Sequence, residues 1–143
     1  MKLKIEYLPS YVGEPIKQAR PGDAGFDLRA TTDGYILPGG FVKIPLGIRT
    51  SFEEGYEAQL RARSGLAAKN GIGLVNGIGT IDAGYRGEWA VLLYNHGHDV
   101  FTYKAGDRVC QVVFNQLPVV DIQEGPVEID GDRFGGFGST GVA

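Results

Sequence analysis

The sequence predicts an all-β domain with one short helix, and three observations support this fold class. Apolar and polar residues alternate strictly through "YEAQLRAR" (56–63), as expected of a strand with one buried and one polar face. Gly-rich breaks such as "PGG", "EEGY" and "NHGHD" recur between apolar runs, at the spacing of a β-sandwich or barrel. Helical composition is confined to a single stretch, 64–71.

Further runs of β-like composition predict the other strands. These runs are "KLKIEYL" (2–8), "FDLRA" (26–30), "FVKIPLGIRT" (41–50) and "DVFTY" (99–103). Two more runs, "EWAVLLYN" (88–95) and "RVCQVVFNQ" (108–116), are apolar on nearly both faces. We therefore expect the strands that they form to be covered on both sides.

The helix is predicted over "SGLAAKNG", with Ser64 as its N-cap and Gly71 as its stop. No linker interrupts the pattern before about Gly125, so residues 1–143 are predicted to form a single domain. Beyond that point the strand pattern gives way to a glycine-rich tail. About 126–143 are therefore predicted to form a C-terminal arm.

Composition argues against several classes of function. The 143 residues carry a formal net charge of −3 and no long basic run, which disfavours direct nucleic-acid binding. No stretch approaches the ~20 apolar residues of a membrane span, and the N-terminus lacks a signal-peptide pattern. The single cysteine, Cys110, excludes an internal disulfide and fits a reducing cytoplasm. Its apolar neighbours favour a small buried side chain over a nucleophile.

Two segments place charged side chains beside turns. In "RPGDAGFDLRA", Asp23 and Asp27 either flank a strand or belong to a site. In "RARSGLAAKNG", Arg63 and Ser64 place a cation, a hydroxyl and free backbone N–H groups at a helix start, which favours anion binding. The alternative there is an ordinary helix cap with solvated arginines.

The stretch "NGIGTIDAGYRGEW" is the most informative. Gly77 and Gly79 are compatible with a tight hairpin whose backbone faces a ligand. Asp82 is a carboxylate at the edge of the core that can accept a proton from water, and Tyr85 can lay its ring beside a ligand. The alternative is a structural turn with a packing tyrosine.

Gln111 interrupts an apolar strand, so its amide either bonds the backbone or faces a pocket. The tail "RFGGFGSTGVA" is costly to order without a ligand, which predicts a lid. That tail is not a P-loop, because no Lys precedes its Ser-Thr pair. His96 and His98 are expected to be solvated turn residues. No Ser-His-Asp arrangement suggests nucleophilic catalysis.

Taken in order, five segments resemble the motifs of the trimeric dUTPase family. They are "DAGFDL" (23–28), "RSGLAAKNGI" (63–72), "NGIGTIDAGYRGE" (76–88), "GDRVCQVVF" (106–114) and "GGFGSTG" (135–141). The resemblance implies a jelly-roll-like β fold and a homotrimer with shared active sites. It also implies Mg²⁺-dependent hydrolysis of dUTP to dUMP and pyrophosphate in the cytoplasm.

The resemblance assigns catalysis to Asp82, Gln111 and Arg63, and a water-mediated metal contact to Asp27. Substrate contacts would come from Ser64, Gly65, Asn76, Gly79, Ile81, Tyr85, Arg133, Phe137, Gly138, Ser139 and Thr140. One departure concerns the arm, because Arg133 stands four positions before Phe137 where the family pattern has five.

Three rival functions remain open at this stage. A dCTP deaminase resembles the same fold, but "TIDAGYRGE" and "GGFGSTG" favour a dUTPase. A catalytically silent nucleotide sensor would bind dUTP without turnover. An oligonucleotide-binding barrel is disfavoured by the acidic charge balance.

Overall fold

The computed structural model describes residues 1–143 and contains eleven strands and one helix. The strands are β1 (Leu3–Tyr7), β2 (Phe26–Arg29), β3 (Gly34–Ile36), β4 (Phe41–Pro45), β5 (Ile48–Phe52), β6 (Tyr56–Arg61), β7 (Ile72–Leu74), β8 (Gly79–Asp82), β9 (Ala90–Asn95), β10 (Phe101–Tyr103) and β11 (Arg108–Gln116). The helix α1 spans Ser64–Asn70, between β6 and β7.

All strand pairings are antiparallel, and they form four small sheets. The largest sheet has the order β2-β11-β6-β8, and the next has the order β4-β9-β7. The pairs β1-β5 and β3-β10 complete the set. Most neighbours are distant in sequence, as in jelly rolls. The predicted all-β, jelly-roll-like fold is confirmed.

A cluster of 18 buried apolar residues forms the core. Trp89, Leu28 and Leu93 are among its most deeply buried large side chains. Cys110 is completely buried, and this burial raises the pKa of its thiol far above the ordinary value. The interpretation of Cys110 as a buried hydrophobe is therefore confirmed.

The strand β9 is covered on one face only. Its buried residues Val91 and Leu93 alternate with half-buried Leu92 and Tyr94. The expectation that β9 is covered on both sides is therefore wrong for a single chain. The outer face, where Tyr94 lies opposite Phe41, stays apolar and partly open to solvent.

Two local expectations are also corrected. The run 41–50 is not one strand, because the chain leaves β4 at Pro45 to enter β5 in a different sheet. Arg63, not Ser64, is the N-cap of α1, and no side chain caps the helix. Gly71 does end the helix, in the left-handed conformation (φ 67°) that glycine adopts readily. The single helix, with seven residues, is too short to span a membrane.

A buried amide fixes the turn that follows β9. Asn95 is fully buried; its Nδ2 donates to the carbonyls of Ile36 (2.9 Å) and Asp99 (2.8 Å). Its Oδ1 accepts from the backbone N–H of Gly97 at 2.8 Å. All three bonds are made inside the fold, where losing them leaves polar groups unpaired.

Replacing this amide tests its contribution to stability. We expect Asn95→Ala to lower the free energy of unfolding by roughly 2–3 kcal/mol, because buried polar groups lose their partners. Urea unfolding at a fixed protein concentration measures the change. The exposed Asn70→Ala variant is the control, and we expect it to shift stability by less than about 0.5 kcal/mol. Equal effects of the two substitutions would contradict this account.

Candidate active site

The loop that follows β8 brings a carboxylate and an aromatic ring to one cavity. Asp82, the last residue of β8, is exposed, and its carbonyl accepts a hydrogen bond from the backbone N–H of Tyr85 at 3.0 Å. This bond closes a tight turn, which fixes the backbone between the two residues. A cavity of about 490 Å³ adjoins the turn. Its lining residues are Lys43, Thr80, Ile81, Asp82, Tyr85, Glu88, Ala90 and Leu92.

The ring of Tyr85 is held in place at the edge of this cavity. Its hydroxyl donates to the carbonyl of Glu88 at 3.0 Å. A Cβ atom added to Gly87 would overlap the ring, so any side chain at this position would displace the ring. Tyr85 nevertheless stays 44% exposed and can present a ring surface to a ligand.

The end of the same loop is attached to the turn between β4 and β5. The carboxylate of Glu88 accepts from the backbone N–H of Gly47 at 3.1 Å. Trp89 follows directly, and its backbone N–H donates to the carbonyl of Ile48 at 2.8 Å. The segment that carries Asp82 is therefore tied to the core rather than free.

The hairpin expected around Gly77 and Gly79 is wrong as a strand pairing. The strand β7 pairs with β9, whereas β8 pairs with β6, so 75–78 is a turn that connects two sheets. Asn76 is exposed in this turn, and its carbonyl accepts from Ile78 at 2.7 Å. Gly79 is buried and Ile81 is half-buried in β8. Exposed turn backbone still lies next to the strand that ends at Asp82.

A cluster of opposite charges lies where β2 meets β11. The carboxylate of Asp27 accepts from Arg63 Nε at 2.9 Å and from Arg108 Nη1 at 3.2 Å. Arg63 also donates from Nη1 to the carbonyl of Arg108 at 3.2 Å. Two guanidinium groups therefore face one carboxylate, and the cluster keeps a net positive charge, which suits a phosphate. Ser64 and Gly65 follow Arg63 directly and are exposed at the start of α1.

Gln111 lies beside this cluster, opposite Asp27 in the sheet. Its Nε2 donates to the carbonyl of Ala62 at 2.9 Å, which is the backbone contact considered among the alternatives above. Its Oε1 approaches Gly25 so closely that a Cβ there would overlap it. This oxygen accepts no hydrogen bond from the chain and can receive one from a ligand or water.

The two groups of residues lie at opposite ends of β6. Asp82 pairs with Glu57, while Gln111 pairs with Arg61, four positions along the strand. That offset is roughly 13 Å along the strand, and the flanking strands β8 and β11 are about 10 Å apart. The chain alone therefore does not bring Asp82 into contact with Gln111 or Arg63.

The C-terminal arm makes no contribution to either group within one chain. Residues 117–143 are exposed and contain no helix or strand. Within 118–143, hydrogen bonds join only residues of that segment to one another. Phe137 is fully exposed at φ 51°, between glycines. Arg133, Gly138, Ser139 and Thr140 are exposed with it.

Other residues considered from the sequence are structural or isolated. The carboxylate of Asp23 accepts from the backbone N–H of Arg20 at 3.0 Å and stabilises the turn before β2. His96 packs against Tyr94, with ring centroids 4.3 Å apart. His98 is exposed, and no group of three or more potential metal-ligating side chains forms around either histidine.

Sequence reasoning gave no role to Arg86, Arg108 or Lys43. Arg86 and Arg108 lie inside the quoted motifs, but their contacts with Thr50 and Asp27 depend on strands distant in the chain. Lys43 alternates onto the outer face of β4 and reaches the cavity only because β4 pairs with β9. Alternation along β4 indicates which face of the strand carries Lys43, but it does not indicate that a cavity lies next to that face.

Comparison with known proteins identifies the family. The dUTPase family model matches residues 13–141, nearly the whole chain. The chain belongs to the dUTPase family. Two curated relatives are named deoxyuridine 5'-triphosphate nucleotidohydrolase. The Clostridium tetani protein is 44% identical over 140 residues, covering 97% of this chain and 96% of the relative. The Alkaliphilus metalliredigens protein is 47% identical over 141 residues, covering 98% and 97%.

Solved dUTPase structures share the fold. A mutant dUTPase from Staphylococcus bacteriophage 80alpha with dUpNHpp has a TM-score of 0.83 at 21% identity and covers 99% of both chains. The dUTPase from Streptococcus mutans has a TM-score of 0.73 at 27% identity, covering 82% of this chain and 98% of its own. A mutant dUTPase from phage phi11 of S. aureus has a TM-score of 0.79 at 19% identity, covering 92% and 100%, and coordinates a structural Mg(II) ion.

Proposed function

We propose that this member of the dUTPase family hydrolyses dUTP to dUMP and pyrophosphate. One observation carries the assignment: Asp82 and Tyr85 lie in an anchored loop beside a cavity of about 490 Å³, inside the family-matched segment. An exposed carboxylate beside a cavity is suited to receive a proton from water. The reaction limits uracil incorporation into DNA and supplies dUMP for thymidylate synthesis.

Chemistry begins when Asp82 accepts a proton from a water molecule. The water oxygen forms a bond to the α-phosphorus, and the bond from that phosphorus to the oxygen bridging the α- and β-phosphates breaks. Pyrophosphate leaves with the electron pair of the broken bond. Arg63 and Gln111 stabilise the phosphate oxygens and the water, and Arg133 adds charge at the terminal phosphate. No covalent intermediate is needed.

The site fits a Mg²⁺ ion that enters with the triphosphate. Both oxygens of Asp27 already accept hydrogen bonds from arginines, and the chain forms no cluster of three or more acidic, His or Cys side chains. Asp27 is therefore suited to contact the ion through water, as Mg²⁺ sites on nucleotides commonly allow. When bound, the ion supplies charge neutralisation and polarisation of the phosphoryl group.

Selectivity for deoxyuridine is assigned to the turn backbone and to Tyr85. In this proposal, the exposed backbone around Asn76 reads the uracil edge together with Gly79 and Ile81. A site that hydrogen-bonds uracil leaves buried groups unpaired when cytosine enters, which is costly. The ring of Tyr85 lies against the deoxyribose and leaves no space for a 2′-hydroxyl.

The arm acts as a lid over the bound nucleotide. Its residues make no hydrogen bond to the rest of the chain, so little holds them in one place without a ligand. Stacking of Phe137 on uracil returns about 1–3 kcal/mol. The backbone of Gly138, with Ser139 and Thr140, contacts the phosphates and closes the site from water.

The separation of the two groups supports a homotrimer with shared active sites. Since Asp82 and Gln111 lie at opposite ends of β6, a complete site requires the loop of one copy and the arginine cluster of another. The outer face of β4-β9-β7 carries exposed apolar side chains and is suited to contact between copies. Phe41 in β4 is 66% exposed, and Val75, directly after β7, is 46% exposed. The family resemblance sets the number at three. We place this assembly in the cytoplasm.

The first test is pyrophosphate release from each deoxynucleoside triphosphate, with and without a chelator. We expect dUTP to be the preferred substrate and the chelator to reduce its turnover.

Asp82→Asn should lower kcat by roughly 10²–10⁴-fold, because the neutral amide cannot accept the proton. Thermal unfolding verifies that this variant is folded. Unchanged turnover would refute the mechanism, and ammonia release from dCTP would indicate a deaminase.

A pair of glycine variants tests the placement of Tyr85. In Gly87→Ala the new methyl group displaces the ring, and we expect kcat/KM for dUTP to fall roughly 10–100-fold. Gly84→Ala is the matched control from the same loop, because a Cβ there meets no atom within 4 Å. Steady-state kinetics compare the two variants. Similar activity in both would mean that the ring position does not matter.

Truncation tests the lid. We expect a chain that ends at Asp132 to fold and assemble normally, since the removed residues make no bond to the core. Its kcat/KM should fall by roughly 10²–10³-fold through loss of stacking and phosphate contacts. Kinetics measure the loss, and light scattering with unfolding curves checks the assembly. Full activity without the arm would exclude a lid.

A further inference from the structure

Arg86 contacts three backbone carbonyls through one guanidinium nitrogen. Its Nη1 donates to the carbonyl of Ala83 at 2.6 Å, to that of Tyr85 at 3.2 Å and to that of Thr50 at 3.3 Å. The first two carbonyls belong to the loop between Asp82 and Glu88, and the third belongs to β5. The side chain therefore joins the loop to a core strand.

The two loop carbonyls depend on this side chain. No backbone N–H donates to the carbonyl oxygen of Ala83 or Tyr85, so Arg86 supplies their hydrogen bonds within the chain. The charge of Arg86 is not used elsewhere, because no carboxylate lies within 4 Å of it. Bonds from a charged donor are stronger than neutral ones. The planar guanidinium group also fixes their direction, which a lysine ammonium does not.

Arg86 and Glu88 hold Tyr85 from two sides. Arg86 binds the backbone carbonyl of Tyr85, and the carbonyl of Glu88 binds its ring hydroxyl. Asp82, in contrast, is attached through its place in β8 and through its own bond to the Tyr85 backbone N–H. Loss of Arg86 therefore frees the ring of Tyr85 more than it moves the carboxylate of Asp82.

We propose that Arg86 is a positioning residue for sugar discrimination, acting through the Tyr85 ring. This inference rests on the proposed function, in which that ring excludes a 2′-hydroxyl. With its backbone carbonyl and its ring hydroxyl both bonded, Tyr85 cannot retreat from a ribose. When the carbonyl loses Arg86, the loop at Tyr85 can shift and take the ring with it. Arg86 thus contributes more to the preference for dUTP over UTP than to the rate of dUTP hydrolysis.

The experiment compares kcat/KM for dUTP and for UTP in the wild type and in Arg86→Ala. We expect kcat/KM for dUTP to fall roughly 10-fold. We also expect the ratio of kcat/KM for dUTP to kcat/KM for UTP to fall by roughly 10-fold or more. Millimolar guanidinium ion should restore part of the ratio in Arg86→Ala, because it can occupy the vacated position. Arg86→Lys should resemble Arg86→Ala but should not respond to guanidinium.

Arg49→Ala is the matched control. Arg49 lines the same surface depression as Arg86, but its guanidinium pairs with Glu6 at 2.6 Å rather than with the loop. Its removal takes away a nearby positive charge and should leave the ratio unchanged. Fluorescence of the single tryptophan, Trp89, reports whether each variant keeps the core beside the loop.

Each outcome decides the inference. An unchanged ratio of kcat/KM for dUTP to kcat/KM for UTP in a folded Arg86→Ala variant overturns the inference. If both values fall equally, the role of Arg86 is merely structural. If Arg86→Ala does not assemble, the ratio in Arg86→Lys decides, because that variant keeps the charge and loses the shared contacts. Failure of the wild type to hydrolyse dUTP would instead refute the proposed function, which is a separate result.

Discussion

The antiparallel pairing of β6 with β8 on one side and β11 on the other is the constraint on which the site depends. This register fixes Asp82 opposite Glu57 and Gln111 opposite Arg61, so the carboxylate and the amide cannot approach each other within one chain. Hydrogen bonds of a central strand are difficult to shift by one residue, because every side chain would change face. The same register that stabilises the sheet therefore separates the two groups of candidate site residues.

Local patterns predicted the fold class and most strands, because the alternation of apolar and polar residues along a strand is visible within a short stretch of sequence. The alternation of 56–63 matches β6, where Ala58 and Leu60 are buried. Which strands pair with each other is not visible in a short stretch of sequence, because the paired strands are distant in the chain. The turn at Gly77 has the composition of a hairpin, yet its flanking strands pair elsewhere, with β6 and β9. The expected Ser64 cap is wrong because the helix begins at Ser64 itself, one residue earlier than a cap at that position would require.

Resemblance to ordered motifs predicts the candidate site residues, but it does not predict the contacts that hold them. Periodicity does not show that Gly87 is pressed against the Tyr85 ring, because the ring returns onto its own loop. Nor does it show that Arg86 reaches a carbonyl of β5, since that contact joins residues 36 positions apart. Such support arises only after the sheets have formed, and it decides how firmly a reactive group is held.

The division of the site along β6 has a consequence for inheritance. If every working centre combines a loop from one subunit with an arginine cluster from its neighbour, as we propose, two differently damaged gene copies can compensate for each other. A subunit lacking the carboxylate and a subunit lacking the amide would form mixed assemblies in which some junctions receive both intact halves. Selection then acts on the population of junctions rather than on the individual polypeptide.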